Sequence, residues 1–211
     1  MNRTLRTPAT ALCAALLVTG LAAGGGPARA DAPGTPPVAV APAAAPATAP
    51  PATAGPAVHD ALVAALRQAQ AERPNAPVRH ICYATHVQNI GWQQAVCDGR
   101  PNGTEGQSLA IEAIDIIGSN TGGLCFDAYV QNIAWQGWRC GEDGTEILIG
   151  TTGQSLRMEA YAASIATNGI CADAYVQDYG WLGFQCAAAQ KVAVAGTTGQ
   201  SRRLEAIEIV V

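Results

Sequence analysis

Six cysteines are the residues whose type and spacing carry the clearest chemistry in this sequence. They fall into pairs, Cys82 with Cys97, Cys125 with Cys140 and Cys171 with Cys186, each pair 15 positions apart. In an exported chain this pattern reads as three disulfides. The identical spacing selects the pairing within each pair, and each closed loop contributes about 3 kcal/mol by restricting the unfolded chain. Zinc would ask for Cys-x-x-Cys or clustered histidines, and neither occurs, so no metal is expected.

Catalytic chemistry is poorly provided for. The histidines His59, His80 and His86 do not recur at equivalent places, and there is no Gly-x-Ser-x-Gly elbow. Asp127 with Glu159 could be drawn as a glycosidase pair, but a repeated sequence argues against a single catalytic centre. No phosphate-cradling glycine loop is present. The chain is therefore read as non-catalytic and without a cofactor.

The elements that position these residues are themselves repeated. A segment Val-Gln-Asn/Asp-x-Gly/Ala-Trp lies between the two cysteines of each pair, and Trp92, Trp135 and Trp181 are 43 and 46 residues apart. Gly106-Gln107-Ser108, Gly153-Gln154-Ser155 and Gly199-Gln200-Ser201 follow, each leading into an apolar run with an internal glutamate. Such a period denotes one supersecondary unit used three times, over about 80–118, 123–164 and 169–211. If Cys82 faces Cys97, a hairpin turns at Asn89-Ile90, with equivalents at Asn132-Ile133 and Asp178-Tyr179.

That register sorts the side chains. Val87 falls opposite Trp92, Val130 opposite Trp135 and Val176 opposite Trp181, and the three tryptophans are assigned to the core. The other face carries Asp127, Tyr129 and Trp138 in unit two, and Asp173, Tyr175 and Phe184 in unit three. A carboxylate beside aromatic rings suits sugar hydroxyls and C–H faces, so these six are the candidate ligand-binding residues. Unit one has Ala84, His86 and Ala95 there and is expected to be a weak or dead site. In the last strand the alternation slips at Glu112-Ala113, Glu159-Ala160 and Glu205-Ala206, the mark of a β-bulge. A glutamate fixed there is read as a hydrogen-bond acceptor. Three such units imply an all-β, pseudo-threefold closed domain. A β-trefoil is preferred and a three-sided β-prism is the alternative.

Residues 1–30 read as a signal peptide: Arg3 and Arg6, an apolar run too short to span a bilayer, then Ala28-Arg29-Ala30. Cys13 comes too early in that run to be a lipid anchor. Without the leader, 9 basic face 16 acidic side chains, a net charge near −7. That argues against nucleic acid or anionic lipid as a partner. Residues 31–57, almost all Ala, Pro, Thr, Val and Gly, read as a semi-stiff linker. Residues 58–78 hold a short helix resting on the domain, with Leu62, Val63, Leu66 and Ala69 on one face and Pro74 and Pro77 ending it. The β domain covers 79–211. A secreted or cell-wall-associated monomer is expected, with no membrane span.

The stretch His86-Val87-Gln88-Asn89-Ile90-Gly91-Trp92, with Gly106-Gln107-Ser108-Leu109 and Ile111-Glu112-Ala113-Ile114, resembles the ChW repeat, the clostridial hydrophobic repeat with a tryptophan. The later copies are Val130–Trp135 with 150–160, and Val176–Trp181 with 196–207. The resemblance covers about 80–211. It implies a secreted or surface-attached protein of a Gram-positive bacterium, contacting polysaccharides, surfaces or other proteins, and brings no catalytic residues. This chain adds a cysteine pair to each unit and puts Tyr129 and Tyr175 where unit one keeps His86. Lectin-like recognition of polysaccharide and a protein-contact or adhesion role both remain open, with an enzyme a distant third.

Overall fold

The computed structural model describes residues 52–72 and 78–211. The leader expected over 1–30, most of the linker expected over 31–57, and Pro74 and Pro77 lie outside those residues. The first element is the helix α1 (Pro56–Glu72), which starts two residues before the 58–78 segment expected to hold it. Unit one then forms β1 (His80–Val87), β2 (Gly91–Trp92), β3 (Val96–Cys97), β4 (Asn102–Gly103) and β5 (Ile111–Ser119). Unit two forms β6 (Leu124–Val130), β7 (Ala134–Trp135), β8 (Arg139–Gly141), β9 (Ile147–Gly150) and β10 (Met158–Ile165). Unit three forms β11 (Gly169–Val176), β12 (Gly180–Trp181), β13 (Gln185–Ala188), β14 (Ala193–Gly196) and β15 (Leu204–Val210).

Three antiparallel sheets result, with strand orders β2-β1-β5-β9, β7-β6-β10-β14 and β12-β11-β15-β4. The strands β3, β8 and β13 pair with the far ends of β1, β6 and β11 and carry the second cysteines. All three expected disulfides are present. Each sheet is completed by a strand from the next unit: β9 closes the first, β14 the second, and the two-residue β4 of shorter unit one the third. No unit is whole without its neighbour, which makes the three repeats one cooperative body. The all-β, three-repeat expectation holds. The trefoil arrangement is not confirmed. Each sheet is a ladder of its own, and three repeats fit either arrangement.

The bulges fall where the alternation slips. Opposite β1, β6 and β11 the registers jump over Glu112, Glu159 and Glu205. The backbone carbonyl of each bulged glutamate accepts a hydrogen bond from a threonine N–H of the following unit: Thr151 on Glu112, Thr197 on Glu159, Thr104 on Glu205. The residue before each threonine must be glycine. A Cβ on Gly150, at φ 89°, would meet the Glu112 carbonyl oxygen at 2.3 Å, and Gly103 and Gly196 are in the same position. The interior is shared by the three sheets and includes Tyr83, Ile114, Phe126, Met158, Tyr161 and Leu204. Its two tyrosines lace units together. The Tyr83 hydroxyl donates to the Arg100 carbonyl and accepts from the Ile209 N–H, and that of Tyr161 reaches the Asp173 and Glu208 carbonyls.

The tryptophans are not in this core. Asn89 takes a left-handed φ of 63°, as do Asn132 and Asp178 at 65°. Each turn therefore holds three residues, and Val87 pairs with Gly91 rather than with Trp92. A one-residue slip moves the next side chain to the opposite face. Trp92 pairs with His86, Trp135 with Tyr129 and Trp181 with Tyr175. An extra residue between Trp92 and Val96 restores the register, so Cys82 still faces Cys97.

Candidate functional site

The slip creates an aromatic ledge on the outside of every sheet. His86 meets Trp92 edge to face at 5.3 Å between ring centres, Tyr129 meets Trp135 at 5.5 Å, and Tyr175 meets Trp181 at 5.7 Å. All six rings are half-buried. The next unit supplies a wall. A Cβ on Gly106 would lie 3.6 Å from the Tyr175 hydroxyl, and one on Gly199 would lie 3.8 Å from that of Tyr129. Trp181 Nε1 donates to Glu105 Oε2 at 3.3 Å. The ledges of units two and three are thus composites of one unit's hairpin and the next unit's Gly-Gln-Ser loop.

Behind the ledges every unit sets one basic side chain beside a buried glutamate. Arg157 donates to Glu159 at 2.9 Å and Arg203 to Glu205 at 2.9 Å. Unit one has Ala110 at the arginine position, and there His86 Nδ1 stands 3.1 Å from Glu112 Oε2. Histidine in place of tyrosine therefore accompanies alanine in place of arginine. Burial raises the Glu112 pKa, and the charge of His86 opposes the shift. The Ser201 N–H adds a bond to Glu159 Oε2. The acceptor role expected of these glutamates is the one observed, and the Gly-Gln-Ser triplet is a junction between units. A cleft of about 150 Å³ at this end is lined by all three units, including Gln88, Gln131 and Arg203.

The six candidate residues separate into two groups. Tyr129 and Tyr175 stand on the ledges. Trp138 is half-buried and Phe184 is exposed at 45%. The carboxylates do not project to solvent. Asp127 is 2% exposed and accepts the Gly137 N–H at 2.9 Å, and burial raises its pKa to about 6. Asp173 is 5% exposed, and its Oδ1 accepts the Ala174 N–H. Both serve the local backbone, so the expected carboxylate-plus-aromatic surface is reduced to its aromatic part.

Unit one is covered. Val58, Leu62 and Leu66 of α1 pack on Cys82, Ala84 and Ile117, and Ala54, Trp92 and Ala95 join the same cluster. Small side chains at 84 and 95 leave room for the helix, where unit two has Asp127 and Trp138. His59 Nδ1 pairs with Glu146 Oε2 at 2.9 Å, which raises the His59 pKa. Below them Asp115 is fully buried with neither carboxylate oxygen hydrogen-bonded, and burial, then the charge of Glu146, lifts its pKa to about 7.

The family model for Clostridial hydrophobic W matches residues 86–117, 129–164 and 175–211. The three repeats are ChW repeats. Comparisons with curated proteins and with solved structures give no match. Each matched ChW segment begins at His86, Tyr129 or Tyr175, the ring that meets the tryptophan, and runs through the bulged glutamate. The repeat thus spans its own unit's ring pair and bulged glutamate. The cysteine pairs are only partly inside these segments, since Cys82, Cys125 and Cys171 precede them. Sequence reasoning missed Trp135 and Trp181 as surface groups, and missed Glu105 as a ledge wall.

Proposed function

We propose that this chain is a non-catalytic, extracellular contact module that holds polypeptide on the aromatic ledges of units two and three. One observation carries the reading: the unit-one copy of this face is covered by the protein's own α1, with Trp92 in the contact. A surface that accepts apolar side chains on Trp, His and small residues is chemically suited to protein. Three disulfides support the extracellular placement, and among the described residues no helix is long and apolar enough to cross a membrane. A Gram-positive, secreted or cell-wall-associated setting is what the family resemblance suggests.

Lectin-like recognition of cell-wall or environmental polysaccharide is the second reading. Its supporting observation is a cleft of about 210 Å³ beside Asp173, Leu182 and Gly183, flanked by exposed Phe184. One experiment separates them. The full chain is offered immobilised secreted proteins and insoluble glycans in parallel, alongside a Trp135→Ala/Trp181→Ala double variant. Capture by protein, lost in the variant, supports the contact module. Retention on glycan alone, lost in the variant, moves the function to the lectin. Unchanged capture in the variant refutes both.

A further inference from the structure

The helix α1 is attached to the β body on one side. It packs chiefly on β1, β3 and β5 of unit one. Its apolar residues form a cluster with Cys82, Ala84, Trp92, Ala95 and Ile117, and that cluster is separate from the interior shared by the three sheets. The helix is therefore able to leave without opening that interior, as a local unit of low stability. What it leaves behind is the unit-one face with Trp92 and Ala95.

This contact is closed over carboxyl groups. Asp115 of β5 pairs with Ala84 of β1 and with Leu148 of β9. Paired residues of neighbouring strands point to the same face, so Asp115 stands beside Ala84 on the face that α1 covers. It is fully buried, and neither of its oxygens has a hydrogen-bond partner. Glu146, just before β9, keeps its Oε1 buried and unpartnered, while its Oε2 meets His59 Nδ1 of α1 at 2.9 Å. The charges that act on Asp115 come from two sides: Glu146 opposes its ionisation and His59 favours it. From β1 it faces the uncharged Ala84, and Asp60 of α1 acts on His59. A carboxyl group buried without donors beside a second carboxylate keeps its proton, and burial, then Glu146, lifts the Asp115 pKa to about 7.

We propose that α1 is a proton-held latch: it closes on the unit-one face while Asp115 is protonated, and it comes away as rising pH ionises that carboxyl. The direction follows from linkage. The Asp115 pKa is higher with α1 seated than with the group in water, so closure is fully favoured below about pH 4 and loses ground as pH rises through about 7. The His59–Glu146 pair runs the same way. The His59 pKa is raised, so its contribution is present below about pH 6.5 and is lost at higher pH. That pair is solvated, and Asp115 carries the larger share. The latch does not depend on what the ledges of units two and three hold.

Amide hydrogen exchange of the full chain tests this, read over residues 60–70 at pH 5 and pH 8 and corrected for the dependence of exchange chemistry on pH. Protection of α1 should fall about ten- to hundredfold between the two, the span set by a carboxyl moving from about 4 to about 7, while protection in β10 stays level. Asp115→Asn keeps the shape and cannot ionise. It should leave only the share of the His59 pair, about two- to threefold. A wild-type change under about twofold overturns the latch, as does an Asp115→Asn change equal to that of the wild type. A second measurement needs no variant. The side-chain carboxyl carbon of Asp115, followed by NMR in the wild-type chain, should titrate with a midpoint above about pH 5.5, and a midpoint near the ordinary value of about 4 overturns the proposal even if Asp115→Asn fails to fold.

Discussion

Arg157→Ala tests the rule that each unit sets one basic side chain against its buried glutamate. Glu159 is 3% exposed, and both Arg157 Nε and an Arg157 terminal nitrogen reach its Oε1, at 3.2 and 2.9 Å. Two unit charges about 4 Å apart attract by about 4 kcal/mol at an effective dielectric of 20. Stranding one member of a buried pair costs about 3–5 kcal/mol. The arginine is partly solvated and the Ser201 N–H stays on Glu159, so a loss of about 2–4 kcal/mol is expected at pH 8.5. That corresponds to a drop in Tm of about 5–15 °C for a body of this size. Unit one shows the remedy. Adding Tyr129→His to Arg157→Ala recreates the pairing of His86 with Ala110. A histidine that gains an anionic partner has its folded pKa raised, so its contribution is present below its ordinary pKa near 6.5 and is lost as pH rises through the folded value. Acid also lets Glu159 take up a proton in the single variant, so the two variants are compared at the same pH. Thermal melts should place the double variant above the single one at pH 6.5 and level with it at pH 8.5. A single variant within about 0.5 kcal/mol of wild type at pH 8.5, or no gain from the histidine at pH 6.5, refutes the compensation rule.

Three further outcomes follow from the packing. Asp115→Ala places the residue of unit two, Ala162, under α1. The Asp115 pKa is raised on folding to about 7, so the native carboxyl favours the folded state at low pH and opposes it as pH rises from about 4 through 7. The variant should therefore melt higher than wild type at pH 8 and lose that advantage at pH 5. Gly150→Ala drives a methyl into the Glu112 carbonyl at a left-handed φ, and urea unfolding should show a loss of at least 3 kcal/mol, or about that. Leu62→Asp buries a charge under α1 and should free the helix. Limited trypsin digestion should then cut at exposed Arg67 far faster than in wild type, while the three-sheet body melts within a few degrees of its normal Tm.

What the sequence revealed depended on how local each feature is. Cysteine pairs 15 apart, Asn or Asp at the hairpin turn, and the slip at Glu112, Glu159 and Glu205 are contained within one unit, and all were readable. The face of the tryptophans was not, because a two-residue and a three-residue turn at Asn89 differ by one position and that position inverts the face. The exchange of β4, β9 and β14 between units is a long-range pairing that no local pattern records. The burial of Asp127 and Asp173 depends on the loops that fold over them. Ala84 and Ala95 were read as a missing site, when their small size makes room for α1.

The central claim is that the ledges of units two and three face a partner while that of unit one faces α1. Photo-crosslinking tests it directly, with a benzophenone side chain placed in turn at positions 95, 138 and 184 of the full chain. Position 95 should crosslink within the chain to peptides spanning 58–66, and positions 138 and 184 to an external polypeptide. External crosslinks from 95 equal to those from 138 and 184, with none to α1, would contradict the account.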